Sequence, residues 1–257
     1  MNQLNLEHAK DLAYAAGKIL REQLRDDFTI EYKGEIDLIT DADRASEALL
    51  IRAITNTHPQ HAILTEEGGK LGNPDSDYLW VIDPLDGTTN FAHRLPYFSV
   101  SIALLEKTEP ILAVVYNPIA DEMFAAEAGS GAWLNDHPIR VSRTTDLKSS
   151  LLCTGFPYDM RLEQNNTANY ANLVMQTQGV LRLGSAALDL CYVACGRLDG
   201  FWEFHLKPWD MAAGALIVAE AGGMVTGIAK PQFDLNTGEI AASNGLIHQA
   251  LLEQLQA

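Results

Sequence analysis

Hydrophobic positions along the chain switch between helical and strand spacing without a regular alternation. Between residues 4 and 25 they recur at helical spacing, as at Leu12, Ala16 and Leu20, which predicts an amphipathic helix with a charged outer face. Short continuous apolar runs, such as Ala62–Thr65, instead predict buried strands. Because strands and helices mix irregularly, we expect an α+β fold of layered sheets and helices.

The same patterns predict the remaining elements. Strands are predicted at 28–31, 78–82, 99–105, 111–116, 123–127, 132–135, 149–155, 200–203, 224–226 and 239–242. Helices are predicted after 37–40, where Asp41 and Asp43 occupy the first turn, and at 161–178, 188–194, 209–221 and after Asn244. Short turns between the strands from 99 to 127 predict antiparallel neighbours. We expect one domain over 1–257, with a candidate subdivision near Arg143.

The stretch 78–91, YLWVIDPLDGTTNF, changes character within a single residue. Its apolar run predicts a buried strand that ends at Ile82, so that Asp83 lies at the rim of a sheet. Pro84 is expected to end the hydrogen-bond ladder, and Asp86 begins a turn. The Thr-Thr-Asn sequence of 88–90 is expected to cap a following helix.

Two carboxylates on a strand-to-helix turn suit a divalent cation and a phosphate bound together. The N–H groups of a helix start attract anions, whereas Asp83 and Asp86 would repel an anion unless a cation lay between them. Two further acids lie at the ends of other predicted elements. Glu66 directly follows the strand 62–65, and Asp210 lies at the start of the helix 209–221. Mg²⁺ prefers about six hard oxygen ligands and shares them with phosphate, so this pattern predicts a magnesium site. A capped turn without a ligand remains the alternative.

Composition and charge exclude several function classes. The 257 residues are 47% hydrophobic, enough for a sizeable core, and the net charge of −16 disfavours non-specific binding to nucleic acid or anionic membranes. The three cysteines lack metal-ligand spacing, which indicates a reducing compartment. No run reaches the roughly 20 apolar residues that span a bilayer, and residues 1–4 show no signal-peptide character. We therefore expect a soluble, cytoplasmic protein.

Two stretches are similar to the signature stretches of the inositol monophosphatase family of Mg²⁺-dependent, lithium-sensitive phosphatases. They are WVIDPLDGTTNF at 80–91 and WDMAAGALIVAEAGG at 209–223. The resemblance extends from Lys33 and the segment DLITDAD at 37–43 to the final helix. It implies the family's αβαβα sandwich, a homodimer, and hydrolysis of a small-molecule phosphate monoester, above all inositol monophosphate as in the bacterial enzymes.

The resemblance also implies roles for individual residues. About two or three Mg²⁺ ions would be held by Glu66, Asp83, the carbonyl of Leu85, Asp86 and Asp210. Asp43 and Thr88 would be the catalytic pair, which orients a metal-bound water for direct in-line attack. The implied substrate-binding residues are Glu66, Leu85, Asp86, Gly87, Thr88, Arg182, Gly184, Ser185, Ala186, Glu203 and Asp210.

Several alternatives remain open. The turn at Gly184-Ser185 is a second candidate anion-binding helix start. For Asp41, plain helix capping is the alternative to a role in the site. Glu203 could be an ordinary strand end, and His205 could be an ordinary loop residue. Histidinol-phosphate, nucleotide-phosphate and fructose-bisphosphate phosphatases share the metal site, although the Thr-Thr-Asn of 88–90 resembles inositol monophosphatases more. Some bacterial relatives act with RNA polymerase or in ribosome biogenesis. A Ca²⁺-binding structural module is the third reading.

Overall fold

The computed structural model of the chain describes residues 5–25, 30–32, 38–157 and 165–255. Its α-helices are α1 (Leu6–Arg25), α2 (Asp41–Thr57), α3 (Thr88–Ala92), α4 (Asn165–Val174), α5 (Ala186–Ala194), α6 (Pro208–Glu220) and α7 (His248–Leu252). Its strands are β1 (Ile30–Tyr32), β2 (Leu38–Thr40), β3 (Ala62–Thr65), β4 (Gly69–Gly72), β5 (Tyr78–Asp86), β6 (Ser99–Glu106), β7 (Glu109–Asn117), β8 (Glu122–Glu127), β9 (Gly131–Leu134), β10 (His137–Pro138), β11 (Leu151–Thr154), β12 (Gly179–Leu181), β13 (Gly200–Glu203), β14 (Met224–Thr226) and β15 (Ile240–Ser243). Lys33, Asp37 and residues 161–164 of the predicted helix 161–178 lie outside the described residues.

The strands form two main sheets and one small pair, β1 with β2. The larger sheet has the order β10-β9-β8-β7-β6-β5-β3-β4, and its strands from β5 to β10 are antiparallel neighbours. The antiparallel meander predicted from 99 to 127 is therefore confirmed. The smaller sheet has the order β12-β11-β13-β15-β14, with β11 parallel to both β12 and β13. The large sheet ends at Pro138 and the small one begins at Leu151.

Helices cover and separate the two sheets. On one face of the larger sheet, α1 and α2 bury an apolar cluster that includes Leu20, Leu50 and Trp80. On the other face, α5 and α6 fill the space between the sheets. A third cluster, with Trp202 and Leu251, lies on the outer face of the smaller sheet beside α4 and α7. This layering confirms the predicted αβαβα sandwich, and none of the described helices is long and apolar enough to span a membrane.

The strand predicted for 78–82 is longer than expected. β5 continues to Asp86, so the predicted end of the strand at Ile82 is wrong, and so is the prediction that the hydrogen-bond ladder ends at Pro84. Pairing with β3 stops at Ile82, whereas pairing with β6 resumes at Asp86 opposite Ser99 after a shift in register. Pro84 therefore lies where β3 has already ended, and its missing N–H removes no hydrogen bond to that strand.

Candidate active site

An irregular segment of β5 brings two acids to one side of the sheet. Asp83 pairs with Ser101 and Asp86 with Ser99, so β5 contains one residue more than β6 between these two pairs. In a regular strand, residues three apart point to opposite faces, and a bulge of one residue corrects this. The carboxylates of Asp83 and Asp86 consequently approach each other, and with that of Asp210 all lie within 4.8 Å of one another.

Local hydrogen bonds fix each of these carboxylates. Asp83 Oδ1 accepts from the N–H of Leu85 at 2.9 Å. Asp210, in the first turn of α6, accepts from the N–H of Lys207 at 2.7 Å. Asp86 Oδ2 accepts from the hydroxyl of Ser185 at 2.5 Å and from the N–H of Ala187 at 2.9 Å. The helix start at α5, predicted as an anion site, thus holds the chain's own carboxylate.

The three carboxylates are in electrostatic conflict. Burial raises the pKa of Asp86 to about 6, although the hydrogen bonds from Ser185 and Ala187 lower it. Burial, followed by the charges of Glu66, Asp86 and Asp210, raises the pKa of Asp83 well above its ordinary value. Burial and the charge of Asp86 likewise raise the pKa of Asp210. A cation among these groups would relieve the repulsion and keep them ionised.

The donors at this place fit a hard divalent cation. They are carboxylate oxygens, and Glu66 lines the same cavity and acts electrostatically on Asp83 and Asp210. Leu85 also lines this cavity, and its carbonyl oxygen accepts from Thr88 Oγ1 at 3.1 Å. Oxygen-only donor sets of this kind suit Mg²⁺ or Ca²⁺ better than softer metals. We call Glu66, Asp83, Leu85, Asp86 and Asp210 the acidic floor.

Asp43 and Thr88 meet beneath this floor. Thr88 Oγ1 lies 3.3 Å from Asp43 Oδ1, and both side chains are buried. The other carboxylate oxygen of Asp43 accepts from the N–H and the hydroxyl of Thr40, at 2.8 and 2.5 Å, in a capping box at the start of α2. Asp43 therefore both caps a helix and faces Thr88.

The capping role predicted for 88–90 is wrong. The N-cap of α3 is Gly87, and no side chain caps this helix. Thr88 turns towards Asp43, while Asn90 Nδ2 donates to the carbonyls of Tyr97 at 2.7 Å and Leu183 at 2.8 Å. The side chains of Thr88 and Asn90 do not cap the helix because they contact residues of other segments instead.

Two glycines allow two turns to pack together at the site. Gly87 has φ +96°, and a Cβ there would lie 3.1 Å from the carbonyl oxygen of Gly184. Gly184 has φ +92°, and a Cβ there would meet the amide of Asn90. Both positions therefore require glycine for backbone conformation and for space.

Across the cavity lies a second surface, formed by the ends of strands in the smaller sheet. We call Gly155, Phe156, Arg182 and Glu203 the opposite wall. The carboxylate of Glu203 packs so closely on Gly155 that a Cβ at that glycine would lie 2.1 Å from Glu203 Oε2. Burial raises the pKa of Glu203 well above its ordinary value, with a smaller lowering by Arg182.

The buried side chain of Asn166 joins the strands behind this wall. Its Nδ2 donates to the carbonyl of Gly155 at 2.6 Å and to Thr154 Oγ1 at 3.1 Å. Its Oδ1 accepts from Trp202 Nε1 at 2.6 Å. Asn166 therefore fixes the ends of β11 and β13 relative to each other.

Floor and wall enclose a cavity of about 390 Å³. The predicted site residues that line it are Glu66, Asp83, Leu85, Asp86, Gly87, Thr88, Arg182, Gly184, Ser185, Ala186, Glu203 and Asp210. Asp43 lies outside the lining and reaches the site through Thr88. The lining residues that the sequence did not indicate are Glu67, Thr89, Gly155, Phe156, Pro157, Phe204, Leu206, Lys207 and Trp209. Of these, only Glu67 and Lys207 carry an ionisable group that could have indicated a site, whereas Gly155 falls within the strand predicted for 149–155. His205, at φ 61°, also lines the cavity.

The chain is similar to known proteins over nearly its whole length. The family model described as the inositol monophosphatase family matches residues 1–257. The chain is 50% identical over 254 residues to an inositol-1-monophosphatase of Synechocystis sp., covering 98% of this chain and 88% of that protein. It is 45% identical over 247 residues to the Nus factor SuhB of Pasteurella multocida, covering 95% and 92%. The solved inositol monophosphatase structure from Anabaena (Nostoc) sp. has a TM-score of 0.89 at 48% identity, covering 97% of this chain and 94% of that one.

Proposed function

The chain belongs to the inositol monophosphatase family and is a phosphatase, and from this premise we propose that it hydrolyses a phosphate monoester of a small polyol with Mg²⁺. The choice of inositol monophosphate as the substrate is supported by the similarity to a relative named as an inositol-1-monophosphatase. The family membership replaces the reading of a Ca²⁺-binding structural module. The polyol preference rests on the opposite wall, which places a carboxylate and a guanidinium beside the acidic floor.

The acidic floor would hold the metal. Its ligands would be Glu66, Asp83, the carbonyl of Leu85, Asp86 and Asp210. Bound Mg²⁺ neutralises the charge of the phosphate and stabilises the leaving oxygen. The N–H groups of Gly87 and Thr88, at the start of α3, would bind the phosphate oxygens.

Thr88 and Asp43 would position the attacking water. The carboxylate of Asp43 accepts a proton or a hydrogen bond, and the hydroxyl of Thr88 can donate to it while accepting from a water in the cavity. Phosphoryl transfer depends chiefly on positioning and charge stabilisation, so a held water attacks in line without a phospho-enzyme.

The opposite wall would recognise the alcohol. The Glu203 carboxylate accepts hydrogen bonds from substrate hydroxyls, and Arg182 donates to their oxygens. Ser185 already donates to Asp86, so its hydroxyl would be available to a substrate only as an acceptor. This division of donors and acceptors favours a ring or chain with several hydroxyl groups.

One observation carries the proposal: a cluster of mutually repelling carboxylates opens into the same cavity as Glu203 and Arg182. The test is phosphate release from inositol monophosphate, histidinol phosphate, a nucleoside monophosphate and fructose bisphosphate, with Mg²⁺ and with a chelator. We expect the highest kcat/KM on inositol monophosphate and loss of release with the chelator. Release that persists without metal would overturn the proposal, and a higher kcat/KM on another ester would overturn the choice of substrate.

A second candidate function concerns transcription. It is favoured by the similarity to a relative named as a Nus factor. The test is capture of RNA polymerase by the chain at physiological salt, compared between wild type and Asp83→Asn. Equal capture by both forms would support a role independent of hydrolysis, and no capture would exclude direct binding.

Two properties implied by the family resemblance stay predictions. Light scattering of the purified chain tests the homodimer, for which we expect twice the mass of 28.2 kDa. A lithium titration of phosphate release tests the inhibition. Full activity at high lithium concentrations would place the chain among lithium-tolerant phosphatases.

A further inference from the structure

Glu47, on α2, has no part in the site described so far, yet its carboxylate is buried beside it. Its Oε1 accepts from Thr65 Oγ1 at 2.5 Å and from the N–H groups of Glu67 and Gly68, both at 3.1 Å. These donors come from the residues on either side of Glu66. One carboxylate oxygen therefore fixes the whole turn between β3 and β4 that carries Glu66.

The neighbouring positions of α2 show the same pattern. Asp43, Ser46 and Glu47 lie three and four residues apart, which places them on one face of the helix. Asp43 faces Thr88, and Ser46 Oγ donates to the carbonyl of Pro84 at 2.9 Å, between Asp83 and Leu85. Each of these buried polar residues holds a different segment of the site, while the next turns of the helix bury Leu50 and Ile54 in the core.

A purely structural role explains this arrangement less well. A turn on the rim of a sheet can satisfy its N–H groups with water, without burying a carboxylate, which is unfavourable unless that carboxylate is fully hydrogen-bonded. Glu47 instead adds a negative charge behind a floor that already carries several. The arrangement is explained if the exact placement of Glu66 matters, because a metal ligand must be held in a narrow geometry.

We infer that Glu47 is a positioning residue for Glu66, which sets the affinity of the site for a divalent cation through the turn 65–68. This inference rests on the proposed function, in which Glu66 is a metal ligand. Groups that hold metal ligands in place typically alter metal affinity by about 10- to 100-fold when they are changed.

The experiment measures Mg²⁺ binding by calorimetry, and by the rise in Tm with Mg²⁺, in wild type, Glu47→Gln, Glu47→Ala, Glu66→Gln and the double variant Glu47→Ala/Glu66→Gln. We expect about a 10-fold weaker Kd for Glu47→Gln and a larger loss for Glu47→Ala. The double variant should bind Mg²⁺ no more weakly than Glu66→Gln alone, because Glu47 acts through Glu66. If Glu47→Ala does not fold, as judged by circular dichroism, the Gln variant carries the test.

Asp199 provides a matched control. It is also a buried carboxylate that holds a loop, since it accepts from Ser142 Oγ at 2.5 Å and from the N–H of Leu151 at 2.7 Å. It precedes β13 at the end opposite to Glu203. Asp199→Asn should lower the Tm as much as Glu47→Gln does, but it should leave the Mg²⁺ Kd unchanged.

The outcomes separate the inference from the function on which it rests. A wild-type chain that neither binds Mg²⁺ nor releases phosphate overturns the proposed function. A wild-type chain that does both, with an unchanged Kd in Glu47→Gln, overturns only the role of Glu47. The role is also overturned if Asp199→Asn weakens Mg²⁺ binding equally, or if the effects of Glu47→Ala and Glu66→Gln multiply.

Discussion

The acidic floor and the opposite wall face the same cavity but are built in different ways. Most of the floor comes from one short segment, in which a bulge turns Asp83 and Asp86 to the same side. The wall is assembled from the ends of β11, β12 and β13, which pairing and Asn166 bring together. Under the proposed function, the chemistry would therefore depend on local backbone geometry, whereas selectivity for the alcohol would depend on how separate strands are held.

The largest effect should come from the floor. Asp83→Asn should lower kcat by about 10³-fold or more, which corresponds to about 4 kcal/mol, because the variant loses a charge that we propose binds the metal. Phosphate release measures this effect, and circular dichroism checks the fold. Asp75→Asn, on the exposed loop before β5, is the control and should retain full activity. More than about a tenth of wild-type turnover in Asp83→Asn would mean that the floor is not the metal site.

The second largest effect on kcat is expected for Thr88, which lies beneath the acidic floor. Thr88→Ala should lower kcat by about 10²-fold with little change in KM, since water orientation matters chiefly on the way to the transition state. Thr89→Ala, one residue along α3, should have a much weaker effect. A raised KM with unchanged kcat would instead assign Thr88 to substrate binding.

A change in the opposite wall should alter the selectivity between substrates more than the maximal rate. Glu203→Gln should lower kcat/KM for inositol monophosphate about 10-fold more than for a plain aryl phosphate, because an amide presents a donor where the polyol needs an acceptor. Parallel measurements on both esters give the ratio. Equal losses of kcat/KM on the two esters would mean that Glu203, in the opposite wall, does not determine selectivity for the alcohol.

The smallest effect concerns the free energy of unfolding and comes from His61, which belongs to neither the acidic floor nor the opposite wall. His61 Nδ1 accepts from Trp80 Nε1 at 3.1 Å, and its ring stacks on His58 at 4.7 Å and on Tyr78 at 4.9 Å. Burial, followed by the charge of His58, lowers the pKa of His61. The unfolded chain therefore takes up protons more readily, so this contribution to stability is complete above about pH 6.5 and is lost as the pH falls below it.

Urea unfolding at pH 7.5 and 5.5 measures this loss. We expect His61→Gln to reduce the difference between the two pH values by at most about 1 kcal/mol, since solvent screens the partly exposed ring. His137→Gln, at an exposed position of β10, should leave the difference unchanged. A pH dependence that is the same in both variants would place its origin in other groups of the same sign, such as His58 and His248, whose pKa values burial also lowers.

Much of the floor could be predicted from the sequence because its groups are close together in the chain. The family resemblance implied the pairing of Asp43 with Thr88, and the two side chains lie in contact. The end of β5 and the capping of α3 were predicted wrongly, because both depend on segments that the local pattern does not contain. The bulge is set by pairing with Ser99 and Ser101, and Asn90 is drawn to Leu183.

The wall was harder to predict for a physical reason. Gly155 and Phe156 carry no ionisable or metal-binding group, so no residue type marks them. They line the cavity because β11 lies parallel to β13 and thus ends beside Glu203. Parallel neighbours of this kind are joined by long connections, and sequence spacing alone does not show which strands will be adjacent.

The extra residue in β5 makes chain length itself a functional property. Side chains alternate between faces along a strand, so Asp83 and Asp86 share a face only because β5 has one residue more than β6 between these two pairs. One extra residue in β6 between Ser99 and Ser101 would let the strands pair residue for residue and would send Asp86 to the other face, even with every acid preserved. A related sequence that keeps both aspartates but has equal numbers of residues in the two strands should therefore lack this cluster of carboxylates. In this segment, counting residues is as informative as identifying them.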